Sequence, residues 1–201
     1  MGKQSKNEQI LEHARKAGFL RPRDLAKRGI PGVYLRRLHR QGLLAQAGRG
    51  LYRLPEGDVT ANHSLAQISK RIPHGVVCLL SALRFHGLTT QAPFEVWLAI
   101  DQKARAPQNP KPSVRLIRMS GDALRSGVEE HPVEGVTVKV FSPAKTVADC
   151  FKFRNKIGLD VALEALREHR RAHRGGMDEL WRFARICRVA EVMRPYLEAL
   201  A

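Results

Sequence analysis

Residues 31–53 read PGVYLRRLHRQGLLAQAGRGLYR, and this stretch decides the fold of the N-terminal part of the chain. Residues 31–41 place Leu35 and Leu38 on one side of a predicted helix, because apolar residues three apart share a helix face. The opposite side of this helix holds one valine and three arginines: Val33, Arg36, Arg37 and Arg40. One face is therefore apolar and the other is strongly cationic.

The residues that follow this helix predict a β-hairpin. Two short runs, 43–47 and 51–54, flank the turn sequence Gly48-Arg49-Gly50, which leaves Arg49 at the tip. Upstream, residues 7–17 and 21–28 predict two more helices, with Asn7 as the N-cap of the first. Three helices and a hairpin are the layout of a winged helix-turn-helix, whose third helix enters the major groove of DNA.

The side chains of this module indicate how it would contact DNA. An arginine offers a planar fork of donors to a guanine edge or a phosphate, and a valine can meet a thymine methyl group. We predict that Arg36, Arg37 and Arg40 contact guanine edges or phosphates and that Val33 contacts a thymine methyl group. Tyr34 and His39 flank this face, and Tyr34 counts among the predicted DNA-binding residues. Phosphate contacts are predicted at Arg21, Arg23, Lys27, Arg49 and Arg53. The alternative for any single arginine is a solvated position on an amphipathic surface helix.

Charge is concentrated in the same module. The 201 residues include 35 Lys and Arg against 19 Asp and Glu, a net charge of +16. Residues 1–57 hold 13 basic and four acidic residues, a net charge of +9, and residues 58–201 carry the remaining +7. A strongly basic field on a small module favours a polyanion partner, and nucleic acid above all.

Composition also excludes several classes of protein. With 43% hydrophobic residues the chain has enough apolar side chains for a folded core, and no apolar run is long enough to span a bilayer. The three cysteines, Cys78, Cys150 and Cys187, lie far apart in apolar stretches, which predicts buried reduced thiols. We expect a cytoplasmic protein without cofactor or metal, and without a membrane partner.

The chain after the turn residues 55–57 predicts a separate α+β domain, so the domains are 1–57 and 58–201. Helices are predicted at 64–71 and 75–85, followed by a sheet of three or four strands from 94–100, 114–119, 128–132 and 136–141. A helix starts at Ser142-Pro143 and continues over 144–157, and two more follow at 159–173 and 177–200, the last kinked or broken near Pro195.

Three residue pairs in this domain have spacings that could carry chemistry. Asp101 and Lys103 have the acid-x-Lys spacing of metal-dependent nucleases, although a charged pair at a strand end explains them more simply. His169 and His173 share one helix face but lack a third ligand, and a basic helix end is the better account. Lys145 and Asp149, also four apart, predict an exposed ion pair.

The sequence resembles the AbiEi-type antitoxins of type IV toxin-antitoxin systems and related bacterial transcriptional regulators. The resemblance rests on the basic winged-helix module together with residues 74–88 (HGVVCLLSALRFHGL), 142–166 (SPAKTVADCFKFRNKIGLDVALEAL) and 184–200 (ARICRVAEVMRPYLEAL). It implies an N-terminal domain that binds inverted repeats in its own promoter, and a nucleotidyltransferase-like toxin whose effect the antitoxin counters. It supplies no catalytic residues, and it supports Arg36, Arg37, Arg40 and Arg49 as DNA-binding positions.

The resulting prediction is a non-enzymatic DNA-binding repressor that acts as an antitoxin and binds double-stranded operator DNA. Because a single winged helix reads only a few base pairs, we expect two copies or a dimer on DNA. Two alternatives stay open: a metal-dependent nuclease with a winged-helix targeting module, and a toxin-binding scaffold.

Overall fold

The computed structural model describes residues 5–55, 60–108, 110–173 and 175–199. The chain forms two compact units. The first combines the chain up to Arg71 with Pro132–Val138, and the second combines Ile72–His131 with the chain from Lys139 onward. The predicted boundary after residue 57 falls within residues 56–59, outside the described residues, so the division into 1–57 and 58–201 stays a prediction.

The first unit contains four helices and a two-stranded hairpin among its described residues. These elements are α1 (Lys6–Ala17), α2 (Pro22–Ala26), α3 (Val33–Arg40), β1 (Ala45–Gly48), β2 (Leu51–Arg53) and α4 (His63–Arg71). Helix α1 begins one residue earlier than predicted, and its N-cap is Ser5 rather than Asn7. Ser5 Oγ accepts the Glu8 N–H at 3.2 Å and Glu8 Oε2 accepts the Ser5 N–H at 2.8 Å, a reciprocal capping box that Asn7 could not form.

The core of this unit lies between α1, α2, α3 and the hairpin. It is formed by Ile10, Ala14, Leu20, Leu25, Ile30, Leu35, Leu38, Leu44 and Tyr52. Leu20 also forms a bridge with Tyr52, through a Leu20 N–H to Tyr52 oxygen bond of 2.8 Å and the reverse bond of 2.9 Å. The link between α1 and α2 is thereby fixed to the hairpin, and the arrangement is the predicted winged helix-turn-helix.

The second unit is built on a five-stranded mixed sheet in the order β5-β4-β3-β7-β6. Its elements are β3 (Val76–Val77), α5 (Leu79–Phe85), β4 (Val96–Asp101), β5 (Val114–Met119), α6 (Asp122–Arg125), β6 (Val128–Val133), β7 (Val136–Phe141), α7 (Pro143–Lys152), α8 (Arg154–Ile157), α9 (Leu159–Ala172), α10 (Met177–Ile186) and α11 (Ala190–Glu198). Residues Pro132–Val138, which are the end of β6, the turn and the start of β7, belong to the first unit. The fold class is α+β, as predicted.

The prediction of a single helix over 75–85 was wrong in its first part. Val76 and Val77 form the central strand β3, which pairs antiparallel with β4 and parallel with β7. A strand covered on both faces and paired on both edges reads as a short apolar run, and residues 75–80 are a continuous run of small and apolar residues that a buried helix would also show. The sheet therefore has five strands, not three or four.

The C-terminal helices break at different places from those predicted. The helix that begins at Ser142 ends at Lys152, and Phe153 separates it from α8. The helix predicted over 177–200 breaks at Arg188, where φ is 59°, and not at Pro195, which lies inside α11. The Val189 N–H bonds the Ala184 carbonyl at 2.8 Å, closing a Schellman motif that ends α10.

The Lys145–Asp149 pair was predicted to be exposed, and this was wrong. Both side chains are 0% exposed, because α7 packs against α5, α9 and α10 and buries every residue from 144 to 151. Lys145 Nζ lies 2.5 Å from Asp149 Oδ2 and 4.0 Å from the centre of the Phe141 ring. The Cys187 thiol donates to Asp149 Oδ1 at 3.2 Å, and burial raises the pKa of this thiol to about 12.

The pKa of Asp149 is subject to two opposing effects. Burial raises the pKa of Asp149, while the Lys145 ammonium and the Cys187 thiol oppose that rise. The two carboxylate oxygens each accept one hydrogen bond, so neither is left unpaired. This cluster joins α7 to the end of α10 with polar contacts inside an otherwise apolar core.

Among the residues that the structure describes, no helix is long and apolar enough to cross a membrane.

Candidate nucleic-acid interface

Helix α3 has a fixed position because its apolar face is fully buried. Leu35 and Leu38 are both 0% exposed in the core of the first unit. At the start of the helix, a Cβ on Gly32 would lie 2.9 Å from the Cβ of Pro22, so a glycine is needed where α2 and α3 approach each other. The packed face therefore sets the direction in which the other face points.

The cationic face of α3 is exposed as predicted. Val33 is 57% exposed, and Arg36, Arg37 and Arg40 are exposed along the helix. The first turn of α3 contains no acidic residue. Three guanidinium groups and one apolar side chain are thus presented to solvent on one face of the helix, as the sequence predicted.

The hairpin forms the wing that was predicted. Ala45 pairs with Arg53 and Gln46 with Tyr52, and a bulge precedes the turn. Gly50 has a φ of +66°, a left-handed conformation that favours glycine, and Arg49 beside it is exposed at the tip. Arg49 is therefore exposed at the tip of the wing, and its contact with phosphate stays a prediction.

Histidine 39 joins the helix to the wing, a role the sequence did not reveal. His39 Nδ1 lies 2.9 Å from the Leu44 carbonyl oxygen, and its ring lies 6.1 Å from that of Tyr52. The sequence places His39 only beside the cationic face, because its contacts involve residues beyond the helix. The arrangement fixes the angle between α3 and the hairpin.

Two of the predicted phosphate contacts, Arg23 and Lys27, lie on exposed positions at α2. Both side chains are open to solvent, and Lys27 is the C-cap residue of the helix. Their exposure is compatible with the predicted contacts to DNA.

Three predicted contacts have other bonds in the structure. The Arg21 side chain is only 16% exposed, and its Nε lies 4.0 Å from Asp24 Oδ2. Burial and the nearby positive charge of Arg23 lower the pKa of Arg21.

Tyr34 and Arg53 also have contacts within the module. Tyr34 is half-buried against the core, and the Lys6 ammonium lies 5.7 Å from the centre of its ring. Arg53 Nη1 donates to the Leu54 carbonyl at 3.2 Å. These three remain predicted contacts, but each also stabilises the module.

The acid-x-Lys pair of the second unit forms a local turn. Asp101 is exposed at the end of β4, and its Oδ1 accepts the backbone N–H of Lys103 at 2.9 Å. Glu95, the other acid on this segment, pairs with Arg115 Nε at 2.5 Å. Among the described residues, no three His, Cys, Asp or Glu side chains come together as a metal site would need.

His169 is buried, so the basic helix end predicted from the sequence describes its exposed neighbours Arg171 and His173 but not this side chain. It is 2% exposed, its ring lies 4.8 Å from that of His173, and its Nδ1 has no hydrogen-bond partner. Burial lowers the pKa of His169 to about 4, with the neighbouring positive charges of His173 and Arg170 acting in the same direction. The ring is therefore neutral at physiological pH.

Residues 8–55 match the AbiEi antitoxin family of transcriptional regulators. The AbiEi match covers the three helices and the wing, and it confirms the resemblance for this part of the chain. The resemblance of residues 74–88, 142–166 and 184–200 to AbiEi antitoxins stays a prediction.

Solved structures with a similar fold include the crystal structure of the RV2827C protein from Mycobacterium tuberculosis. It shares 15% identity with this chain at a TM-score of 0.51, over 75% of this chain and 61% of that one. The chain thus spans about three fifths of that protein's length, and the likeness concerns the fold alone. No curated protein sequence matches the chain.

Proposed function

We propose that this protein is a sequence-specific DNA-binding repressor and the antitoxin of a type IV toxin-antitoxin system, autoregulating its operon through inverted repeats in the promoter. The observation that carries the proposal is the exposed arginine face of α3 on a helix fixed by buried leucines. The family match over residues 8–55 supports the same function. In this proposal residues 1–57 bind DNA in the cytoplasm and residues 58–201 form the antitoxin-type domain.

Binding would proceed as in other winged helix-turn-helix proteins. Helix α3 enters the major groove, where Arg37 and Arg40 donate to guanine edges and Val33 meets a thymine methyl group. Arg49 on the wing contacts a phosphate, which sets the register of the protein without reading sequence. The basic excess of the module adds a sequence-independent attraction that depends on salt.

The decisive experiment compares DNA from the region upstream of the gene with random duplex. Fluorescence anisotropy at physiological salt should give tighter binding to the upstream DNA. Arg37→Ala should weaken this binding roughly 5- to 150-fold, the equivalent of about 1–3 kcal/mol for a base contact, and leave binding to random duplex almost unchanged. Equal affinity of the wild-type protein for both duplexes would remove the proposal.

A second variant separates phosphate contacts from base contacts. Arg49→Ala should weaken binding to both duplexes and reduce the slope of log affinity against log salt by about one. Arg171→Ala is the matched control, since it removes an exposed arginine that pairs with Glu168 on α9. The control should leave both the affinity and the slope at the wild-type values.

The antitoxin role is tested separately from DNA binding. We expect co-expression of the full chain to restore growth to cells that produce a nucleotidyltransferase-like toxin from the adjacent gene. Arg37→Ala should retain this rescue when expressed from an unrelated promoter, because the rescue is assigned to residues 58–201. Continued growth arrest with the wild-type chain would refute the antitoxin role alone.

A further inference from the structure

The second unit exposes one aromatic side chain almost completely. Phe94 precedes β4 and is 89% exposed, the highest value among the large exposed hydrophobic residues of the described chain. A cavity of about 220 Å³ lies directly beside it. Its apolar lining includes Leu80, Pro93 and Trp97, and Phe94 itself forms part of the wall. A projecting aromatic ring and an apolar cavity therefore adjoin on one surface.

The edge of this patch carries one charge of each sign. Arg115 Nε lies 2.5 Å from Glu95 Oε1, so the two side chains form an ion pair. The Arg115 guanidinium lies 4.8 Å from the centre of the Trp97 ring. The Arg115 side chain is 50% exposed, while that of Glu95 is 14% exposed. The cation is thus accessible to a second molecule, and the acid lies at its side.

We propose that a second copy of this chain docks on this patch, with the Phe94 ring of each copy in the cavity of the other. In a two-fold dimer the same surface is used twice, so each copy must offer both the projecting group and its receptor. The Phe94 patch meets this requirement, because ring and cavity are neighbours. The charges at the edge of the patch satisfy the same requirement, because each copy offers one cation and one anion. A two-fold axis can bring Arg115 of each copy towards Glu95 of the other.

The size of the patch sets the strength of the association. A buried aromatic side chain removes roughly 150–250 Å² from solvent, so two rings give roughly 300–500 Å². Stable interfaces usually bury more than about 1,200 Å², which makes this a weak, transient contact. It gains strength when two copies occupy neighbouring half-sites, because the second contact is then intramolecular. This last step rests on the proposed DNA binding, whereas the contact itself does not.

The first test measures self-association in the absence of DNA. Sedimentation velocity of the full chain should show an average mass that rises with concentration into the high micromolar range. Phe94→Ser should abolish this rise, and Leu159→Ser, which alters another exposed apolar side chain, should retain it. A wild-type chain that stays monomeric, or a Phe94→Ser chain that still associates, would overturn the proposal.

The second test uses the rim charges. Glu95→Arg and Arg115→Glu each place like charges on the rim and should each reduce self-association. Mixing the two variants should restore it, because only a contact between the two proteins pairs opposite charges. An unchanged average mass on mixing would contradict the proposed orientation. Thermal melts of both variants establish that each is folded.

A third measurement keeps the two proposals distinguishable. Phe94→Ser should bind a single half-site as tightly as the wild type, and lose affinity only on the complete inverted repeat. If the wild type fails to bind DNA but still self-associates, the function is wrong and the interface stands. If the wild-type chain and Phe94→Ser have equal affinity for the complete inverted repeat, cooperative binding through Phe94 is excluded.

Discussion

Replacing Asp149 with alanine would leave the Lys145 ammonium in the core of the second unit without its carboxylate. Both side chains are 0% exposed, so water cannot replace the lost partner. The change also removes the acceptor of the Cys187 thiol, which lies 3.2 Å from Asp149 Oδ1. The Phe141 ring, 4.0 Å from Lys145 Nζ, remains close to the cation but does not supply the lost negative charge. One substitution thus disrupts two buried polar contacts.

The expected cost follows from this geometry. Removing one partner of a buried ion pair costs about 3–5 kcal/mol, because the remaining charge is desolvated and unpaired. For a chain of 201 residues, each kcal/mol lowers the melting temperature by about 2–4 °C, so the fall is roughly 6–20 °C. An exposed pair behaves differently: Glu168→Ala removes the partner of Arg171 and should cost under about 1 kcal/mol.

Circular dichroism melts at pH 7 would measure both variants. A double variant, Lys145→Met with Asp149→Leu, should recover most of the loss, since apolar side chains of similar size replace a buried pair at little cost. The reasoning would be refuted if Asp149→Ala melted within about 2 °C of the wild type. It would also be refuted if the double variant were as unstable as Asp149→Ala.

Three other substitutions test separate parts of the structure. Because burial lowers the pKa of His169 to about 4, protonating this ring should cost the folded chain up to about 3 kcal/mol as pH falls from 7 to 4, and His169→Leu should reduce the acid-dependent loss in urea unfolding by that amount. Gly18→Ala places a Cβ in overlap with the Glu134 carbonyl oxygen at a φ of +63°, and should cost about 3 kcal/mol in thermal melts. Ser5→Ala removes the acceptor of the Glu8 N–H, and should cost about 1 kcal/mol by the same measurement.

The His169 and Gly18 substitutions each have a matched control. His74→Leu changes an exposed histidine of the second unit and should keep the wild-type dependence of stability on pH. Gly29→Ala has a similar φ of +69° but nothing within 4 Å of the new Cβ, so it should cost only about 1–2 kcal/mol. Equal losses for Gly18→Ala and Gly29→Ala would show that the close approach to Glu134 has no energetic effect.

The elements predicted best were those with a local signal. Strands β5 and β7 and the start of α7 have the predicted bounds, because alternation and a Ser-Pro start depend only on adjacent residues. Strand β3 was missed because a two-residue strand has no period of its own. Its conformation is set by its pairing with β4 and β7, which are distant in sequence.

The same distinction applies to side chains. The exposure of Arg36, Arg37 and Arg40 follows from the spacing of the leucines on α3, and was predicted. The burial of Lys145 and Asp149 does not follow from their own helix, because three other helices cover α7. A spacing of four residues shows that two side chains can meet, but only the neighbouring elements decide whether water reaches them.

The hydrogen bonds of Glu134 in the first unit have a consequence for synthesis of the chain. Its Oε1 accepts from the backbone N–H of Thr60 at 2.8 Å, and its Oε2 lies 2.7 Å from His63 Nδ1. Thr60 precedes Glu134 by 74 positions, which a ribosome adding about 5–20 residues per second covers in roughly 4–15 s. During those seconds the nascent N-terminal unit lacks part of its native contacts. A ribosome that stalls before residue 132 therefore leaves this unit incomplete.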